Sequence, residues 1–126
     1  VLEGADPKIQ LDLECMQRSC ALFIGEHDFY SFSSIDKNIG STVRSISRLQ
    51  IKKTTALELD TEIYCFEIEG SGFLKHMVRY IVGAIVDAGR QLIDSEDIRN
   101  ALGNRSEIKL SPKAKARGLH LVEIAY

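Results

Sequence analysis

Residues 63–88 read IYCFEIEGSGFLKHMVRYIVGAIVDA, a strand pattern followed at once by a helix pattern. Tyr64, Phe66 and Ile68 alternate with polar or small residues, which is the period of two expected for a half-buried strand. A Gly-Ser-Gly sequence then ends the alternation. From about residue 73 to residue 88 the apolar residues form one wide helical stripe, which predicts a central buried helix.

A second strand precedes this unit and a last strand ends the chain. Residues 43–53 have Leu49 and Ile51 on one face, and they predict an antiparallel hairpin with residues 63–69. Residues 119–126 alternate again and predict a final strand.

Two further helices complete the predicted architecture. A helix is predicted to open at Asp6-Pro7 and to end at Gly25, with its apolar residues at spacings of three and four. Ser95 is predicted to cap a short helix that continues to about residue 102. These elements predict one α+β domain over residues 1–126, an antiparallel sheet with helices packed on one face.

The composition limits the function classes. The 126 residues are 44% hydrophobic and 27% charged, as in one ordinary soluble domain, and they are few for a complete enzyme with a deep cleft. The net charge of −2 argues against nucleic-acid binding by overall charge, although it allows a local basic patch. The chain opens at Val1 without a methionine, so we expect a piece of a longer protein.

Several kinds of site have no pattern in this sequence. Cys15, Cys20 and Cys65 form no C-x-x-C pair, which favours reduced thiols in the cytoplasm. No apolar run approaches the roughly 20 residues that span a bilayer. No metal site is predicted, because the candidate ligands lack zinc-like spacing. Those candidates are His27, Asp28, His76, His120 and the cysteines.

The sequence Gly72-Phe73-Leu74-Lys75-His76-Met77-Val78-Arg79 is the most informative for function. It predicts Lys75 and Arg79 on one face of the opening turns of an otherwise apolar helix. An arginine there could meet a carboxylate or phosphate with its rigid fork of donors. A structural salt bridge or a snorkelling side chain is the alternative interpretation, and the motif taken alone favours it.

The segment around His27, Asp28 and Phe29 mixes ionisable and aromatic residues in a predicted loop. Loops of this composition often line binding sites, and aromatic side chains can stack on bases. Local turn chemistry, with the phenylalanines directed into the core, is the alternative interpretation.

Four motifs follow one another along nearly the whole chain. They are Gly25-Glu26-His27-Asp28-Phe29 with Phe32 and Ser33; Arg44-Ser45-Ile46; Gly72 to Arg79 with Ile81-Val82-Gly83; and Ala116-Arg117-Gly118-Leu119-His120-Leu121 leading to Tyr126. In this order and spacing they resemble the C-terminal domain of the bacterial tRNA pseudouridine synthase A family.

The resemblance implies an enzyme that converts uridine to pseudouridine in the anticodon arm of tRNA. An aspartate attacks or assists at the uridine, the base is released, and it rotates and rejoins through carbon. The target base must leave its stack to react. The resemblance further implies a cytoplasmic homodimer that needs no metal or organic cofactor.

The resemblance also implies roles for individual residues. Arg79 matches the arginine that pairs with the catalytic aspartate, and a nearby guanidinium lowers a carboxylate's pKa by roughly 1–3 units. Leu119 matches an apolar wall beside the base. The positions expected around the substrate are His27, Asp28, Phe29, Lys75, His76 and Leu119.

The chain departs from the family pattern in one respect. The Arg-Thr-Asp motif that holds the family's aspartate in an N-terminal domain is absent, and Asp60 stands in a predicted hairpin loop. We therefore expect an isolated chain of this sequence to be inactive, because it supplies only the supporting half of the site. A free-standing RNA-binding or dimerisation domain is the alternative.

Overall fold

The computed structural model of the chain describes residues 11–34, 36, 38–56, 61–114 and 120–125. Helices and strands alternate irregularly, as in an α+β domain. In chain order they are α1 (Leu13–Phe23), β1 (Gly25–Asp28), a short 3-10 helix (Tyr30–Phe32), β2 (Val43–Ala56), β3 (Thr61–Gly70), α2 (Met77–Gly89), α3 (Ser95–Gly103) and β4 (His120–Ala125).

The described strands form one sheet in the order β1-β2-β3-β4. The first three pair antiparallel, so the predicted α+β class and its antiparallel sheet are confirmed. The fourth strand differs, because β4 pairs parallel to β3, with Cys65 opposite His120. The helices α2 and α3 provide the crossover that returns the chain to the sheet in the same direction, which a parallel pair requires.

The predicted hairpin is confirmed as β2 and β3, with Ile51 opposite Phe66 and Leu49 opposite Ile68. These side chains are buried in the main core, together with Tyr64. The other face of the hairpin carries ion pairs, among them Arg48 with Glu69 at 2.9 Å. One apolar face and one charged face give the sheet a single side against which the helices pack.

The first helix begins later than the sequence predicted. Asp6-Pro7 lies outside the described residues, and residues 11 and 12 are not helical, so α1 starts at Leu13. The carboxylate of Asp12 accepts a hydrogen bond from the Cys15 amide at 3.1 Å and so caps the helix. The predicted apolar stripe is confirmed by the burial of Met16, Cys20 and Phe23.

The central helix α2 also begins later, at Met77 instead of residue 73. His76 has a φ of 60°, a left-handed conformation that the helix cannot include, and it occupies the N-cap position. Lys75 therefore lies in the turn before the helix, and the prediction that Lys75 and Arg79 share a helix face is wrong. The predicted buried character is confirmed by Ile81, Val82 and Ile85.

The short helix α3 is capped by the residue before the predicted one. The Asp94 carboxylate accepts from the Asp97 amide at 2.9 Å, and the Asp97 carboxylate accepts from the Asp94 amide at 3.0 Å. This reciprocal pair satisfies two amide donors at the start of the helix. Ser95 is thus the first helical residue and not the cap. No helix in the described part of the chain is long and apolar enough to cross a bilayer.

The segment 112–114 packs against α2 with its backbone in direct contact. The closest approach is at Gly83, where an added Cβ would overlap the carbonyl oxygen of Pro112 and would crowd the Ala114 amide at 3.3 Å. Backbone groups cannot rotate away as a flexible side chain can. Gly83 is therefore the position on α2 at which the absence of a side chain brings the segment 112–114 against the helix.

We expect Gly83→Ala to destabilise the fold by about 1–3 kcal/mol, because the methyl group has no room unless the segment 112–114 moves. Gly103→Ala is the matched control, since an added Cβ there meets nothing within 4 Å. It should leave stability unchanged or raise it by up to about 1 kcal/mol through helix propensity. Urea unfolding of both variants checks this, and equal stability of the two would contradict the packing described.

Candidate active site

Arg79 is held by reciprocal bonds to the segment 112–114. Its Nε donates to the carbonyl oxygen of Ala114 at 2.7 Å, and the Ala114 amide donates to the Arg79 carbonyl oxygen at 2.9 Å. Among the described residues the half-buried guanidinium is therefore fixed through its Nε donor. The N–H groups of its two terminal nitrogens have no acceptor within the described residues. Among the described residues, the two terminal nitrogens of this positioned fork are therefore available to an anion.

His76 lies one turn before Arg79 and is surrounded by donors. Its Nδ1 is 2.6 Å from the Ser34 hydroxyl oxygen and 3.5 Å from the Lys113 ammonium nitrogen. Because an ammonium can only donate, Nδ1 is the unprotonated nitrogen and the proton is on Nε2. Burial lowers the pKa of His76 below its ordinary 6.5, and the charges of Lys113, Arg79 and Lys75 lower it further. The imidazole is uncharged at neutral pH.

Within the described ranges, positive charge is concentrated here without paired carboxylates. We call four residues the basic cluster: Lys75, Arg79 and Lys113, whose charges act together on His76, and Lys109, which lies over the ring of Tyr80 next to Arg79 in the chain. None of the four has a carboxylate oxygen within 4.0 Å in the part of the chain that the structure describes. Six other cations are paired with carboxylates, whereas Arg44 donates to backbone carbonyl oxygens. The pairs are Arg18 with Glu14, Arg48 with Glu69, Lys52 with Glu67, Arg90 with Asp87, Arg99 with Glu96, and Arg105 with Asp28. An acidic chain thus carries a local basic patch, which favours an anionic ligand.

Within the basic cluster, Lys109 lies against the rings of two tyrosines. Its ammonium lies 5.6 Å from the ring centre of Tyr30 and 5.5 Å from that of Tyr80, within cation–π range. It also donates to the Tyr30 carbonyl oxygen at 3.3 Å. Burial lowers the pKa of Lys109, and Glu107 partly opposes this effect. A cleft of about 190 Å³ adjoins this region, lined in part by Tyr30, Phe73 and Lys75.

The three residues expected around the substrate at positions 27–29 lie at the end of β1, with His27 and Asp28 in the strand and Phe29 directly after it. Phe29 is fully buried in the core, so we no longer place it on a binding surface. Asp28 is occupied by bonds from the Thr42 hydroxyl, the Tyr30 amide and Arg105. The ring of His27 contacts the Ile24 carbonyl oxygen at 2.9 Å. These contacts match the alternative of local turn chemistry with an aromatic residue in the core.

Leu119 falls outside the described residues, as do Lys115 and Arg117. Within the described ranges there is no group of three or more His, Cys, Asp or Glu side chains able to hold a metal ion.

Sequence reasoning missed Ser34, Lys109 and Ala114. Ser34 and His76 are 42 residues apart, so no local spacing could reveal their contact.

A family profile described as tRNA pseudouridine synthase matches residues 20–126. The tRNA pseudouridine synthase A 2 of Desulfotalea psychrophila is 42% identical over 113 residues, which are 90% of this chain and 42% of that protein. The tRNA pseudouridine synthase A of Acetivibrio thermocellus is 38% identical over 117 residues, 93% of this chain and 46% of that protein. That of Listeria welshimeri is 38% identical over 118 residues, with the same coverages. The chain spans less than half the length of these relatives.

We expect the substitution Asp28→Asn to lower the stability of the fold. Burial opposes the ionised form of Asp28, but the bonds from Thr42, Arg105 and the Tyr30 amide outweigh it and hold its pKa below the ordinary 3.8. The stabilisation is therefore present above that ordinary value and is lost as pH falls through the lowered pKa. We expect Asp28→Asn to cost about 1–2 kcal/mol at pH 7 and less in acid. Urea unfolding at several pH values checks this, and a cost that grows in acid would contradict it.

Proposed function

Because the chain belongs to the tRNA pseudouridine synthase family, we propose that it forms the C-terminal half of an enzyme that isomerises uridine to pseudouridine in the anticodon arm of tRNA. The observation that supports this most directly is the Arg79 guanidinium, oriented by Ala114 and left without an acid in the described residues. A site built in this way is complete only when another stretch of polypeptide supplies the carboxylate.

The share of each relative that this chain matches agrees with an active site formed by two halves of one protein. The segments matched in the relatives amount to 42% and 46% of their lengths, which leaves more than half of each protein for other parts of the enzyme. In the proposed enzyme that remaining part carries the catalytic aspartate. We further propose that the assembled protein is a cytoplasmic homodimer, as the family resemblance implies.

The proposed role of Arg79 is electrostatic. A guanidinium within hydrogen-bond distance of an aspartate favours the charged carboxylate and lowers its pKa by roughly 1–3 units. The aspartate can then attack or assist at the uridine while the N1–C1′ glycosidic bond breaks and the base rotates. The base rejoins the sugar through C5, the proton on C5 is released, and N1 takes up a proton, so the product is an isomer of the substrate. Because Nε is already bound to Ala114, the fork needs little reorganisation during the reaction.

The rest of the basic cluster suits the tRNA backbone. Lys75 is exposed, and Lys113 and Lys109 are half-buried, each without a carboxylate partner among the described residues. Ammonium groups bind phosphate as point charges and displace counterions. Bases that have left their stack would meet the half-buried rings of Tyr30 and Tyr80 together with the cations that lie over them, Lys109 over both rings and Arg105 over Tyr30. The cluster therefore supports RNA binding at the same end of α2 that presents Arg79.

Arg79→Ala in the full-length protein should abolish turnover, with a loss of at least about 100-fold in kcat, because the aspartate loses its charge partner. Arg79→Lys should also be impaired, since an ammonium does not reproduce the fork. Release of tritium from tRNA labelled at C5 of uridine measures turnover, and filter binding confirms that the variants still hold tRNA.

Arg99→Ala is the matched control for Arg79→Ala. Arg99 lies on α3 and is paired with Glu96 at 3.3 Å, so its loss should leave turnover near the wild-type value. Full activity of Arg79→Ala would overturn the proposed role. Turnover by the highly purified isolated chain would overturn the two-half account, while tRNA binding without any turnover by the full-length protein would favour a binding module.

Lys75→Gln should weaken tRNA binding and reduce the slope of log affinity against log salt by about one, the effect of losing one phosphate contact. Lys52→Gln is the control, because Lys52 is paired with Glu67 at 3.3 Å on the hairpin. Titrations of full-length protein with tRNA over a range of salt concentrations measure both slopes. Identical slopes for the two variants would contradict a phosphate contact at Lys75.

A further inference from the structure

We infer that His76 is a positioning residue for Arg79 that functions only while its imidazole is uncharged. This inference rests on the proposed function, because it concerns the arginine that serves the catalytic carboxylate. It adds a residue that acts through the segment 112–114, without touching the reacting atoms.

The first step is the contact between His76 and the segment 112–114. The unprotonated Nδ1 faces the Lys113 ammonium at 3.5 Å and accepts from the Ser34 hydroxyl at 2.6 Å. The Ser34 amide also donates to the Lys75 carbonyl oxygen at 2.9 Å. Two different loops therefore meet at one ring nitrogen just before α2.

The second step joins the segment 112–114 to the arginine. Ala114, the neighbour of Lys113, accepts from Arg79 Nε and donates to the Arg79 carbonyl oxygen. Pro112 on the other side of Lys113 abuts Gly83. A shift of Lys113 therefore moves the carbonyl group that orients the guanidinium, and displacements of about 1 Å at such groups can cost 100-fold in rate.

The third step is the effect of a proton on His76. The charged groups that face the ring are Lys113 from the segment 112–114, Arg79 from α2 and Lys75 from the preceding turn. No carboxylate balances them in the described ranges. A proton on Nδ1 removes the acceptor that faces the Lys113 ammonium and places like charge against it. The expected result is displacement of Lys113 and loss of alignment at Arg79.

The backbone of His76 fixes where the ring lies and guides the choice of variant. At a φ of 60° most residues are strained, whereas asparagine adopts this conformation readily. His76→Asn therefore keeps the backbone and replaces the ring by an amide that does not titrate. His76→Ala removes the side chain and its contacts to Ser34 and Lys113.

The test is the pH dependence of kcat in the full-length enzyme, from about pH 5 to pH 8.5, where an ordinary histidine titrates. The wild-type kcat should fall as pH decreases below 6.5, because the lowered pKa of His76 places its protonation there. A carboxylate paired with arginine titrates below about pH 4, so its protonation would lower kcat in a separate, more acidic part of the pH profile. His76→Asn should lack this fall in kcat below pH 6.5, with a kcat between those of wild type and His76→Ala.

At pH 8 we expect His76→Ala to lower kcat by about 10-fold to 100-fold with a smaller change in KM, as misalignment of Arg79 requires. Ser34→Ala should weaken the same contact and lower kcat less, whereas Ser47→Ala, which removes a hydroxyl bond on the outer hairpin, is the control. A wild-type kcat that does not fall as pH decreases below 6.5, or a fall that persists in His76→Asn, would overturn the inference.

An NMR titration of the full-length protein separates this inference from the proposed function. The Arg79 Nε–H signal should shift or broaden as wild type is acidified below pH 6.5 and should not do so in His76→Asn. This readout needs no turnover. A protein without synthase activity that shows the coupled signal would refute only the function, and an active enzyme without it would refute only the role of His76.

Discussion

The structure depends on the contact between the segment 112–114 and the central helix α2. The absent side chain of Gly83 lets the Pro112 carbonyl group approach the helix, and one turn earlier Arg79 and Ala114 exchange two hydrogen bonds. A backbone contact of this kind fixes a long side chain more firmly than a surface ion pair, which contributes about 1 kcal/mol or less. Without this contact Arg79 would still lie near the start of α2, but its guanidinium would have no fixed orientation.

Electrostatics explains why this direction matters. Arg105 is held by Asp28 at 2.7 Å, as a cation with a structural role would be. Arg79 has no such partner in the described residues and shares its surroundings with Lys75, Lys113 and an uncharged His76. Like charges placed together oppose folding, and the binding of an anion between them relieves that repulsion. In the proposed enzyme these counter-charges are a carboxylate and the phosphates of RNA, which come from outside the described residues.

Much of the fold followed from sequence periodicity. The hairpin β2–β3 and the buried stripe of α2 were predicted because each depends on neighbouring residues alone. The start of α2 at Met77 was not predicted, because it depends on the left-handed backbone of His76. The parallel pairing of β4 with β3 was not predicted either, because it depends on the crossover through α2 and α3. The prediction of Arg79 came from an arginine in an apolar helix and from the family resemblance. The contacts of Ser34 and Ala114 were not predicted, because they join segments that are distant in the sequence.

The most direct test of the central claim is a crystal structure of the full-length protein, in which the distance from the terminal nitrogens of Arg79 to the nearest carboxylate oxygen is measured. The account predicts an aspartate from outside residues 1–126 at about 2.7–2.9 Å, the range of a charge-assisted hydrogen bond, with Arg79 Nε still bound to Ala114. An Arg79 fork that meets only water, or an acid of this same chain segment, would contradict it.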